Sequence, residues 1–169
     1  MINIKLYSLL FLFFLKTLYS EPIEIDVTKG TIEPLPIAIT KFNYKSIKEK
    51  IISQQIYEIV SNDLTNSGLF RKISNNAFLQ DEGEVFFQPS FRDWSLIDAN
   101  LIVSGKIKLN NEKLLINIKL WDVYREKLIL SKKVEVVNNN NVRVLAHIIS
   151  NLVYQRLTGE KGYFDTRLV

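Results

Sequence analysis

The sequence predicts an α/β fold: a mixed sheet of about five strands with two main amphipathic helices on one face. Three observations carry that expectation. Two segments, 46–67 and 142–158, repeat apolar residues at helical spacing. Three strand-like runs between Leu101 and Val137 follow one another with very short connections, as in an antiparallel meander. Two shorter apolar runs, Pro36–Phe42 and Leu69–Ile73, flank the first helical segment and supply the remaining strands.

Taken in order, residues 1–20 have the layout of a secretory signal. Lys5 follows a short start, Leu6–Leu15 is apolar apart from Ser8, and a polar end runs to Ser20. The apolar run is too short to span a bilayer, which needs about 20 apolar residues, and it matches the core of a signal peptide. Removal near Ser20 is expected. The alternative is a retained membrane anchor, because Leu18 is larger than the residue usual at that place. Residues 21–34 are expected to form an extended segment and linker. Ile23, Ile25 and Val27 alternate with Glu24, Asp26 and Thr28, a period of two. Lys29, Gly30, Pro34 and Pro36 then punctuate the chain.

Residues 35–159 are expected to form the folded body. Ser46 with Glu49 fits the capping-box spacing, in which each side chain satisfies the other's backbone amide. Ile52, Ile56, Ile59, Val60 and Leu64 then form one apolar face, and Gly68 is placed to end the helix in the left-handed conformation. Ser74–Pro89 reads as loop. Ser90–Ile97 reads as a short helix, with Ser90 and Asp93 at capping-box-like places. Leu101–Leu109, Leu114–Val123 and Lys127–Val137 are the meander strands, with Asn110-Asn111 as the first hairpin turn and Arg125-Glu126 near the second. Asn138–Asn141 breaks the chain before the last helix. That helix shows a broad stripe of Val144, Leu145, Ile148, Ile149, Leu152, Val153 and Leu157, and Gly159 ends it.

The length of 169 residues suits one domain, and 47% hydrophobic residues permit a packed core. The net charge of +4 falls to +2 once Lys5 and Lys16 leave with the signal, too little to argue for nucleic acid. There is no cysteine, which removes disulfides and thiol chemistry. The single histidine, His147, lies within the last helix, where a packing or surface role outweighs catalysis. No cluster of ligands accompanies it, so no metal and no cofactor are expected. Ser104-Gly105 sits in a strand and Ser67-Gly68 at a helix end, so neither resembles a nucleophile elbow. Neither a GxGxxG nor a P-loop pattern occurs. Asp63 and Asp122 read as isolated carboxylates. No catalytic residue is assigned, and a binding module remains. Its most partner-ready feature is the alternating strand at 23–30, suited to adding to another protein's sheet edge.

Several stretches carry a resemblance: IEIDVTKG (23–30), LPIAITKF (35–42), DLTNSGLF (63–70), FRDWSLIDANLIVSGKI (91–107) and QRLTGEKGYFDTRLV (155–169). In this order and spacing they resemble the amino-terminal domain of the TolB family of the Tol-Pal envelope system. That family shows a hydrophobic and acidic strand ending in Gly after the signal. It also shows a D-L-x-x-S-G-x-F turn, a Trp before an A-x-x-V-x-G strand, and an L-T-G-x-x-G-x-F-x-[TS]-R run. The resemblance implies a periplasmic scaffold without catalysis, acting in envelope integrity, cell division and protein import. It implies TolA binding through Ile23, Glu24, Ile25, Asp26, Val27, Thr28, Lys29 and Gly30. Residues 160–169 would lead into the family's β-propeller, which is not among these residues, so Pal binding is not expected. The tail 163–169 is then expected to be loosely packed. No stable membrane insertion is expected after signal cleavage. Two other readings stay open: a membrane-tethered interaction module and an uncharacterised periplasmic enzyme.

Overall fold

The computed structural model describes residues 33–110, 113–137 and 142–165. β1 (Leu35–Ile39) is followed by helix α1 (Ile47–Asn66) and β2 (Phe70–Lys72). Two short helices, α2 (Glu82–Val85) and α3 (Phe91–Leu96), precede β3 (Leu101–Asn110), β4 (Lys113–Asp122) and β5 (Lys127–Val137). Helix α4 (Val142–Thr158) comes last. The five strands form one sheet in the order β2-β1-β3-β4-β5. β1 pairs in parallel with both β2 and β3, while β3, β4 and β5 pair antiparallel. The mixed five-stranded sheet and the meander are as the sequence predicts.

Alternation along the strands divides the core into two layers. Ile37, Ile39, Leu101, Val103, Ile107, Leu114, Ile116, Ile118 and Leu120 face α1 and α4. From α1 come Ile52, Ile56, Val60 and Leu64, four turns of one apolar face. The intervening positions Ala38 and Ile102 point the other way, into a smaller cluster with Ile73, Val85, Trp94, Ala99 and Val123.

That second cluster corrects the expectation of loop over 74–89. The segment holds a single 3-10 turn at Asn75–Ala77 and then α2, whose start is capped where the Asp81 carboxylate accepts from the Gly83 amide at 2.8 Å. It folds because Phe78 and Trp94 stack edge to face, with ring centroids 4.8 Å apart, and because Gln80 Oε1 accepts from both the Trp94 indole and the Ser90 amide. Ser90 precedes α3 as expected, but its side chain makes no cap; its carbonyl accepts from the Asp93 and Trp94 amides.

The Ser46–Glu49 capping box is present in both directions. Glu49 reaches further than the box requires. Its carboxylate accepts from the backbone amides of Lys45 (2.7 Å), Ser46 (3.1 Å) and, across the fold, Leu109 at the end of β3 (2.8 Å). One buried carboxylate thus ties the start of α1 to the sheet. Burial pushes its pKa up, but the amides of Leu109, Lys45 and Ser46 and the Ser46 hydroxyl pull harder, and the group titrates below the ordinary carboxylate range.

Other details differ by small steps. Asn110 pairs with Lys113 as the last strand positions, so the first hairpin connection is 111–112, one residue later than expected and outside the described residues. The second turn ends at Glu126, with φ of 51°. The break at 138–141 also lies outside the described residues. On α4 the buried stripe is Val142, Leu145, Ala146, Ile149, Val153 and Tyr154, while Val144 is exposed and Ile148 and Leu152 are half-buried. The sheet takes only the part of the apolar surface that faces it, so the broad stripe overestimates the contact. Gly68 and Gly159 end α1 and α4 with φ of 75° and 78°, as the sequence predicts.

Candidate functional site

The expected partner segment, Ile23, Glu24, Ile25, Asp26, Val27, Thr28, Lys29 and Gly30, lies outside the described residues, as do the signal at 1–20 and the tail at 166–169. What the structure shows is the body to which the segment is joined. The chain enters at Glu33-Pro34 and passes directly into β1, where the Leu35 amide donates to the Leu69 carbonyl at 2.9 Å. β1 is hydrogen-bonded on both sides, to β2 and β3. β1 therefore lies in the interior of the sheet and not at an edge, with backbone hydrogen bonds on both sides.

The polar groups weighed in the sequence as candidates for chemistry are engaged in structure. His147 and Asp63, each read from sequence as isolated, meet between α4 and α1: Nδ1 of His147 lies 2.8 Å from Asp63 Oδ2. Arg143 Nε donates to the other ring nitrogen at 3.4 Å. Both ring nitrogens of His147 are thus engaged within the fold, one by Asp63 and one by Arg143. Asp63 is thus not isolated, and neither is Asp122, which accepts from the Arg125 amide at 2.9 Å and lies 3.6 Å from its guanidinium. Ser104 is buried in mid-strand, and its hydroxyl oxygen accepts from the Trp121 indole at 3.2 Å. Among the described residues no three His, Asp or Glu side chains gather as a metal site, and no helix is long and apolar enough to cross a membrane.

The sequence stretches that suggested a family have structural work here. In DLTNSGLF, Leu64 and Phe70 are buried and the Ser67 hydroxyl closes the helix by donating to the Leu64 carbonyl at 2.6 Å. In the LTG run, Thr158 donates to the Tyr154 carbonyl at 2.9 Å. Gly162 is buried against Asn151 of α4; a Cβ there would come within 2.7 Å of the Asn151 Cα. Asn151 in turn takes the Phe164 amide at 3.1 Å and donates to Asp165 at 3.0 Å. Phe164 stacks on Tyr154 with centroids 5.7 Å apart. The expectation of a loosely packed tail is therefore corrected for 163–165, which pack against α4 through these contacts.

The fold and these contacts define a small α/β domain whose ionisable groups hold helices and loops together. The model of the TolB amino-terminal domain matches residues 23–129, and the chain belongs to the TolB family. It is 42% identical over 156 residues to the Tol-Pal system protein TolB of Pelagibacter ubique, covering 87% of this chain and 35% of that protein. It is 38% identical over 164 residues to the Tol-Pal system protein TolB of Rickettsia prowazekii, covering 96% of this chain and 36% of that protein. The crystal structure of TolB from Acinetobacter baumannii superposes with a TM-score of 0.65 at 27% identity, over 80% of this chain and 31% of that one. The chain thus spans about a third of the length of these relatives.

The alternation at 23–30 was visible in the sequence; the three-amide role of Glu49 was not. Its capping partner is three residues away, but Leu109 is 60 positions distant and carries no side-chain signal, since its backbone amide is what binds.

Proposed function

We propose that this chain is a non-enzymatic scaffold of the Tol-Pal envelope system, exported to the periplasm with residues 1–20 removed, and that Ile23–Gly30 is its TolA-binding strand. The observation that carries this reading is the extent of the family match, which begins at Ile23 and so takes in the alternating stretch together with β1 to β4. In this reading Ile23, Ile25 and Val27 are buried against TolA while Glu24 and Asp26 stay in water, and backbone hydrogen bonds supply much of the affinity. These residues carry the TolA contact and not the Pal contact, which in the family belongs to the propeller. Engagement of TolA is the step through which the chain serves envelope integrity, division and protein import. No nucleic acid and no cofactor enter the reading.

Ile25→Asp tests it. A carboxylate on the buried side of an added strand must be desolvated without a partner. Capture on immobilised TolA is expected to weaken by about a hundredfold, close to 3 kcal/mol. The melting temperature is expected to stay unchanged, because Ile25 precedes the sheet. Undiminished capture would refute the assignment of this strand.

A further inference from the structure

We propose that a cleft at the carboxyl ends of β1 and β2 binds a small organic or inorganic oxyanion, a carboxylate or a phosphate, between Lys41 and Lys72. The cleft has a volume of about 430 Å³, within the range of small-molecule sites. Topology opens it. The chain leaves β1 for α1 on one face of the sheet, whereas it leaves β2 for the 74–99 segment on the other, and returns as β3 on the far side of β1. Because β1 and β2 run in parallel, both connections leave from the same edge of the sheet, and the cleft lies outside the carboxyl ends of the two strands.

The walls of this crevice are rich in donors. Lys41 follows β1 and Lys72 ends β2; neither ammonium belongs to an ion pair among the described residues. Lys72 Nζ lies 3.5 Å from the Tyr57 hydroxyl and 5.4 Å from the centre of its ring, which holds the charge over the cleft. Tyr57 donates to Asn75 Oδ1 at 2.5 Å. Two carboxylates border the cleft: Glu82 accepts from the Lys41 amide at 2.5 Å and from Asn75 Nδ2 at 3.3 Å, pinning the two loops together, and Glu58 accepts from Gln54 Nε2 at 2.7 Å; neither forms an ion pair with Lys41 or Lys72. The side chains of Ser74 and Asn76 line the same space with no hydrogen bond to the described residues. Two ammonium groups outside any ion pair, with the Ser74 hydroxyl and the Asn76 amide beside them, favour an oxyanion in a cavity of this size.

The test is a nuclear magnetic resonance titration of the full chain, following backbone amides at matched ionic strength with citrate, inorganic phosphate or sodium chloride. Saturable shifts at Lys41, Lys72, Asn75 and Asn76 are expected with citrate, with phosphate or with both, and identify the carboxylate or the phosphate as the preferred group. The Lys41→Gln, Lys72→Gln double variant is expected to raise the Kd of that ligand by about tenfold or more while the melting temperature moves by no more than about 2 °C, since both ammonium groups are at the surface. Three results would overturn the proposal: no saturable shift with either anion, equal shifts with chloride, or a Kd that the double variant leaves unchanged. None of these bears on TolA binding, which the proposal does not require.

Discussion

Replacing Gly105 by valine is expected to cost the domain about 3 kcal/mol, at the upper end for an overpacked core, and to lower the melting temperature by about 10 °C. Gly105 sits in the middle of β3, paired with Ile118 of β4. The chain leaving β1 crosses directly over it. Asn43 continues the pairing with β3, its amide donating to the Gly105 carbonyl at 2.8 Å and its carbonyl accepting from Ile107 at 2.9 Å. Phe42, one residue earlier, is wholly buried and lays its ring on the glycine: a Cβ there would fall 2.5 to 2.7 Å from three ring carbons. The ring cannot swing out, because its backbone is held by the Asn43 bonds and by Ser53, whose hydroxyl donates to the Phe42 carbonyl at 2.8 Å. In a Phe42→Leu background the same substitution is expected to cost about 1 kcal/mol less, since leucine lacks part of the ring that the new carbons strike. Thermal melts of the four proteins check both figures. A Gly105→Val protein that melts within about 2 °C of the parent would show that the two residues do not meet.

Glu49→Ala is expected to be of similar size, about 3 kcal/mol, for a different reason. It leaves the partly buried amides of Lys45, Ser46 and Leu109 without their shared acceptor, and losing three bonds to one charged acceptor adds up, each being worth more than a bond between neutral groups. The pH dependence has a definite sign. The folded pKa of Glu49 is depressed, so its stabilisation is fully present above the unfolded value of about 4.3 and is lost as pH falls through the lower, folded value. Urea unfolding from pH 7 down to pH 3 is expected to show that loss in the parent. In Glu49→Gln the same acid-side slope is expected to shrink, because the amide cannot titrate. Identical slopes in the two proteins would remove Glu49 as the source.

Much of this fold could be read along the chain wherever its cause is local. Ser46 and Glu49 are three residues apart, Gly68 and Gly159 answer to the helix they end, and Ile52, Ile56, Val60 and Leu64 report a single face. The meander was legible because its connections are too short to allow other pairings. What was hidden depends on contacts between distant positions. Nothing in LPIAI says that β1 lies between β2 and β3. Nothing in the polar run from Ser74 to Pro89 says that Gln80 will seat Trp94. His147 and Asp63 are 84 positions apart, and only the packing of α4 on α1 brings them together. The same holds for Lys41 and Lys72, which share a cleft because two strands run in parallel. For the partner site, the alternation of Ile23, Ile25 and Val27 could be read directly, but alternation alone names no partner; that step came from the resemblance.

The measurement closest to the central claim is calorimetric titration of TolA into the mature chain and into the same chain lacking residues 21–30. A saturating isotherm with the intact chain and no measurable heat of binding with the shortened one is expected, and the two proteins should melt alike, because the sheet begins at Leu35 and its core draws on residues beyond it. Equal affinity in both would contradict the account, placing TolA on the body of the domain and not on its amino-terminal strand.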